Sequence, residues 1–242
     1  MSFINSLIGG MIGGALGGPL GAVLGAVVGS KFGSKNRKSY SSNQRDQVAF
    51  FAALFACLAK LAKADGVVSR EEVDKVDSYI KERFNFPDDQ RLFAIQIFNQ
   101  AKDDPYTFQD YADQLASLLS QNKNSLIMFY ELLFELAIAD GVLHDSEEKL
   151  LKEVPFIFGI RSDLFEELKA KFDNQASDAY LVLGVSRDMS FADIKKEYQK
   201  KRREFHPDTL TSKGLPEELL EKAKERFIQI QQAYEEIEKQ KK

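Results

Sequence analysis

The stretch LAKADGVVSREE, residues 61–72, decides how the middle of this 242-residue chain folds, because it returns 75 residues later as LAIADGVLHDSEE, residues 136–148. Sliding the chain by that interval superposes Leu58 on Leu133, Leu61 on Leu136, Ala62 on Ala137, Ala64 on Ala139, Asp65 on Asp140, Gly66 on Gly141, Val67 on Val142 and Glu72 on Glu147. Each copy reads as a long apolar helix, an Ala-Asp-Gly turn and a restart on an acidic helix, since glycine is the residue expected just past a helix C-terminus. Ser69 with Glu72, and Asp145 with Glu148, have the spacing of capping boxes for the restarts. Between the copies, PDDQRLFAIQIFNQAK (87–102) and TFQDYADQLASLLSQ (107–121) carry apolar residues at helical spacing, and SDLFEELKAKF (162–172) adds a last short helix. Residues 44–172 therefore read as one helical domain, and the fold class is all-α.

Composition agrees. The chain has no Trp, six Pro and a net charge of −4, a balance that gives no reason to expect a nucleic-acid partner. Its single cysteine, Cys57, sits in the apolar run FFAALFACLAKLA (50–62), so there is no disulfide framework and no Cys pair for a metal.

Residues 1–30 carry no charge, and FINSLIGGMIGGALGGPLGAVLGAVVG (3–29) is apolar and glycine-rich. Glycine recurs every fourth residue at Gly9, Gly13, Gly17, Gly21, Gly25 and Gly29, which on a helix makes a smooth ridge of the kind that lets transmembrane helices pack closely and dimerise. Ile4 to Val28 as a helix would reach roughly 37 Å, enough for a hydrocarbon core of about 30 Å. A flexible linker would be richer in polar residues, and a cleaved signal peptide would open on basic ones. The expectation is a membrane-inserted helix, with Pro19 an anomaly in its middle. Lys31, Lys35, Arg37, Lys38 and Arg45 all precede the first acid, Asp46, which puts the C-terminal side in the cytoplasm by the positive-inside bias. Residues 31–43 read as a basic polar tether able to touch anionic lipid.

The pattern Asp-Gly-x5-Glu matches the second half of an EF-hand loop, but Leu61 and Lys63, or Leu136 and Ile138, stand where the first oxygen ligands belong. Neither copy is an EF-hand. Two readings of Asp65, Glu72, Asp140 and Glu147 stay open: a divalent-cation site built from both copies, or turn and capping duties alone. The duplicated region resembles the TerB-like domain of tellurite-resistance proteins, a helical bundle. That resemblance implies metal binding by these four acids.

After a polar break at 173–177 the chain changes character. DAYLVLGV (178–185) is a short apolar helix closed by Gly184; SFADIKKEYQKKRREF (190–205) starts on a Ser190 cap with Asp193 three residues on. Pro207 forbids its continuation, TLTSKGLP (209–216) reads as a loop, and a final helix opening at Pro216 lines up Phe227, Ile230, Tyr234 and Ile237. The turn between the two long helices is His206, Pro207 and Asp208.

As an acid or base His206 has no recognisable partner: no nucleophile motif is present, Cys57 lies in an apolar helix, and His144, the other histidine, lies in another domain. Residues 178–242 instead resemble a J domain, the family that docks on DnaK-class ATPase chaperones. The resemblance implies that the protein is not an enzyme, needs no cofactor, and binds the chaperone through His206, Pro207 and Asp208 and through the basic face of the preceding helix, with Lys195, Lys196, Lys200 and Arg203 its candidates. Gln199 stands where the family is commonly basic, and Lys201 and Arg202 where it is often apolar or small. Taken whole, the chain resembles bacterial inner-membrane-anchored J-domain co-chaperones with a TerB-like domain, single-pass and facing the cytoplasm, in which that domain selects clients or senses a signal. A membrane-associated metal-responsive or envelope-stress adaptor acting through the TerB-like half is the alternative.

Overall fold

The computed structural model describes residues 16–29, 42–66, 68, 70–84, 86–138, 143–174, 179–216 and 219–241. The described residues form helices and turns and no strand, as the all-α reading requires. In chain order the helices are α1 (Gly18–Gly29), α2 (Ser42–Ala62), α3 (Arg70–Tyr79, continued by a π-helical turn Ile80–Phe84), α4 (Asp88–Asp103), α5 (Phe108–Leu118), α6 (Lys123–Ala137), α7 (Asp145–Phe158) and α8 (Leu164–Asn174). The C-terminal unit adds α9 (Ala179–Leu183), α10 (Phe191–Glu204), α11 (Pro207–Ser212) and α12 (Leu220–Lys241).

α2 is the axis of the first unit. Every residue from Val48 to Ala59 is at most 3% exposed, because this stretch is apolar on all sides and a helix of that kind must be surrounded. α1, α4, α5, α6 and α7 all pack against it. The Phe51 ring meets Phe55 at 4.9 Å, Phe86 at 5.9 Å and Phe93 at 6.1 Å between centroids, and Phe50 meets Phe129 edge-on at 5.3 Å. Phe129 carries the contact on to Phe158 of α7 at 5.6 Å. The aromatic side chains thus supply both bulk and preferred edge or offset geometry at the crossings of α2.

The internal repeat is visible in the helix boundaries: α2 ends at Ala62 and α6 at Ala137, while α3 starts at Arg70 and α7 at Asp145, each pair 75 residues apart. The second restart is capped one residue earlier than the spacing predicts. His144 is the N-cap, and the Glu147 carboxylate, three residues on, accepts the His144 backbone N–H at 3.1 Å. Glu148, freed from that duty, accepts from Lys152 at 2.6 Å and Lys169 at 2.7 Å, tying α7 to α8. Ser69, in the first copy, lies outside the described residues.

Of the N-terminal segment 1–30 the described residues cover 16–29. α1 is 12 residues long, about 18 Å at the α-helical rise, and among the described residues no helix is long and apolar enough to cross a membrane. The backbone is left-handed at Gly17 (φ 60°) and Gly18 (φ 55°), which glycine tolerates, and Pro19, with no N–H to donate, settles in the first turn of α1. Of the glycines expected to form a ridge, Gly21 is buried, Gly17 and Gly25 are exposed, Gly29 ends the helix, and Gly9 and Gly13 lie outside the described residues. Leu20, Val23, Leu24 and Val27 bury themselves on α2, α4 and α5. Gln114 of α5 closes the free end, accepting the Leu20 N–H at 2.9 Å and donating to the carbonyls of Gly17 at 2.9 Å and Leu16 at 3.2 Å.

Truncating the ring that joins α2 to α4 tests this description of the core. Phe51→Ala is expected to lower unfolding free energy by about 3–5 kcal/mol, read as a lower urea midpoint with the slope unchanged.

Candidate functional site

The C-terminal unit is held together by α10 and α12. Tyr198 stacks on Tyr234 at 4.1 Å with the rings 10° apart, Phe191 stacks on Tyr234 at 6.0 Å, and Ile194, Phe205, Leu210, Ile230 and Ile237 are buried. α9, ended by Gly184, packs on α12. α10 starts where its cap predicts: the Ser190 hydroxyl oxygen accepts the Asp193 N–H at 3.2 Å.

His206 then occupies the N-cap of α11, with Pro207 at its first position. A six-residue helix, Pro207–Ser212, therefore stands where the sequence read as a loop, because proline costs nothing at a helix position whose N–H has no acceptor and its φ is already helical. The His206 Nδ1 accepts the Asp208 N–H at 3.3 Å and lies 3.8 Å from the Asp208 carboxylate. The edge contact between His206 and Phe227 of α12, 5.3 Å between centroids at 80°, fixes the imidazole plane. Even so, the side chain of His206 is 47% exposed and that of Asp208 is 91% exposed. The turn is rigid and presented to solvent.

Beside it runs an open groove of about 1080 Å³, lined among others by Lys200, Arg202, Arg203, His206, Lys213 and Phe227. Of the four basic residues singled out on α10, Lys200 and Arg203 line this groove; Lys195 and Lys196 are exposed farther back along the helix, and Lys196 pairs with Asp193 at 3.1 Å. Arg202 and Lys213 belong to the groove and escape the sequence reading. Arg202 falls at a position read as a departure from the family pattern, and Lys213 arrives from the segment after α11.

Lys201 turns the other way. Burial, and then the guanidinium groups of Arg226 and Arg161, push its amine down to about 8, against the opposing pull of Glu167 and Glu131.

The remaining candidates separate. Asp65 is exposed in its turn, Glu147 serves the cap described above, and Asp140 and the side chain of Glu72 lie outside the described residues. Among the described residues no cluster of three or more His, Cys, Asp or Glu side chains is placed to hold a metal. Cys57 is fully buried, and burial pushes its thiol up, so it is no nucleophile.

A solvent-exposed His-Pro-Asp turn at the head of a short helix, braced between two packed helices with a cationic groove alongside, defines a J-domain protein, here built onto an all-α bundle. Comparison with known proteins agrees for each part of the chain: residues 51–170 match the family of tellurite resistance protein TerB, residues 178–242 the DnaJ domain, and residues 1–39 the transmembrane domain of co-chaperone DjlA. Over 232 residues the chain is 31% identical to co-chaperone protein DjlA of Aliivibrio fischeri, covering 83% of this chain and 82% of that protein. Its counterpart in Vibrio cholerae is 30% identical over 230 residues (83% and 81%), and that in Salmonella typhimurium 31% over 229 residues (85% and 84%). The chain belongs to the DjlA family of co-chaperone proteins. No solved structure matches it.

The depressed amine of Lys201 has a pH signature. Its folded-state affinity for a proton is below the unfolded one, so the cation costs stability below about pH 8, and the cost is relieved as pH rises from there toward the unfolded lysine range near 10.5. Thermal unfolding of the unaltered chain is therefore expected to gain between pH 7 and 9.5 relative to Lys201→Met, and equal shifts in the two proteins would contradict it.

Proposed function

We propose that this protein is a co-chaperone of a DnaK-class ATPase, held by its N-terminal segment at the cytoplasmic face of a bacterial inner membrane, where its J domain stimulates the partner's ATP hydrolysis. The observation that carries the reading is the exposed, pre-ordered His206-Pro207-Asp208 turn next to a groove of four cationic side chains. No bond is made or broken at this turn. A rigid turn loses little freedom when it docks, and a basic groove raises the rate of encounter with an acidic surface and orients it. The chemistry belongs to the partner, so the chain needs no cofactor of its own for this role.

The TerB-like bundle would select clients or sense a signal, while self-association and lipid contact of the basic flank 31–43 belong to the N-terminal segment. A divalent cation at the two Asp-Gly turns is a separate proposal, supported by the exposure of Asp65. Complementation by an Asp65/Asp140→Asn double variant, beside a triplet variant, tells which half carries the phenotype.

His206→Gln is expected to abolish stimulation of a DnaK-class ATPase while leaving the circular dichroism spectrum intact. Stimulation at the unaltered level would sink the reading. Lys200→Glu with Arg203→Glu should raise the concentration for half-maximal stimulation by about tenfold or more, and raised salt should weaken the unaltered protein in the same direction.

A further inference from the structure

The face of α12 opposite the solvent carries Lys222 and Arg226, each only 5% exposed. Both point at carboxylates of the first unit. Glu135 of α6 pairs with Lys222 at 2.7 Å, Glu131 of α6 with Arg226 at 2.8 Å, and Glu167 of α8, itself 3% exposed, lies 3.7 Å from Arg226 and also pairs with Arg161. A second set of contacts lies just past the His-Pro-Asp turn. Gln47 of α2 donates to the carbonyls of Leu215 at 3.2 Å and Thr211 at 3.5 Å, and the Ser125 hydroxyl of α6 donates to the Lys213 carbonyl at 3.0 Å. Gly214, at φ 103°, runs so close that a Cβ there would lie 3.1 Å from Asp46 and 3.3 Å from Leu119. Three carbonyls of the five residues 211–215 are thus satisfied by side chains of the bundle.

Buried ion pairs of this kind return little net stability, because removing both charges from water costs about as much as their attraction gives. Their effect is to reject other arrangements. Lys222 also pairs with Glu225 of its own helix at 3.2 Å, but with Arg226 and three carbonyls of 211–215 assigned to partners on one face, a rotated or displaced J domain would leave a buried charge and those carbonyls without partners. The cationic groove and the triplet meanwhile stay outside this contact.

We infer that the TerB-like bundle is a receptor for the J domain of its own chain: the acidic face made by Glu131, Glu135 and Glu167, together with Gln47 and Ser125, holds the segment following the His-Pro-Asp turn in one conformation and presents the turn outward. This rests on the reading of the turn as the chaperone-docking element. The ordering of residues 209–215 is thereby complete before the partner arrives, which lowers the cost of the encounter.

The test uses the full chain in lipid nanodiscs, with Glu135→Lys and the compensating pair Glu135→Lys, Lys222→Glu. In Glu135→Lys, amide hydrogen exchange over residues 209–215 is expected to rise about tenfold, and the concentration for half-maximal ATPase stimulation to rise about fivefold at unchanged maximal stimulation. The compensating pair is expected to restore both. Exchange that stays at the unaltered level in Glu135→Lys, or a rise that the second substitution leaves in place, overturns the inference. If Glu135→Lys fails to fold by circular dichroism, the uncharged pair Gln47→Leu, Ser125→Ala takes its place, a tenfold rise supporting the inference and unchanged exchange overturning it. Failure of the unaltered chain to stimulate the ATPase would overturn the co-chaperone reading alone, since exchange reads the docking without any partner.

Discussion

Everything in this molecule is arranged around the need to enclose α2. A helix with no polar side cannot lie on a surface, so the chain has to supply neighbours on every side of it, and α1, α4, α5, α6 and α7 are those neighbours. This demand explains why a domain of short amphipathic helices closes into one body rather than into two repeats side by side. It also fixes where the chain can meet anything else, since α6, which leans on α2 with one face, has its other face left over for Glu131, Glu135 and Ser125.

The C-terminal unit sorts its cations by environment. Lys200, Arg202, Arg203 and Lys213 remain in water around the groove, where their field reaches an approaching partner. Lys201, Lys222 and Arg226 are withdrawn from water, where a charge acts only on what it touches. On α10 itself Lys200, Arg202 and Arg203 face outward while Lys201 turns inward. Lys201, a charge where the family is often apolar, stays costly there: its burial and the guanidiniums of Arg226 and Arg161 outweigh the pull of Glu167 and Glu131.

What was legible in the sequence was what depends on neighbours along the chain. The repeat, the Ser190 cap, the Gly184 stop and the His-Pro-Asp turn all follow from local rules, and each stands where those rules put it. The capping box of α7 moved by one residue because His144 took the cap. The short helix α11 was hidden because Pro207 reads as a stop for the helix before it and equally as a start for the next. In the N-terminal run hydropathy is blind to the left-handed backbone that Gly17 and Gly18 adopt just before Pro19. The groove's Lys213 and the pairing of Glu135 with Lys222 join residues far apart in sequence, and no pattern along a single chain encodes that meeting.

The duplication has a consequence for how the two halves have diverged. The positions that correspond, 75 residues back, to Ser125, Glu131 and Glu135 are Phe50, Ala56 and Lys60: the first two are buried in the core, and Lys60 is engaged with Asp104 at 2.8 Å. One ancestral helix has thus become a keel in one copy and a mooring in the other. The roles are divided, because the stretch Val48–Ala59 that is wrapped on all sides has no face to offer, and α2 reaches the J domain through Asp46 and Gln47 before it. A bundle with pseudo-repeated architecture therefore has a single berth, built on the α6 copy of the helix.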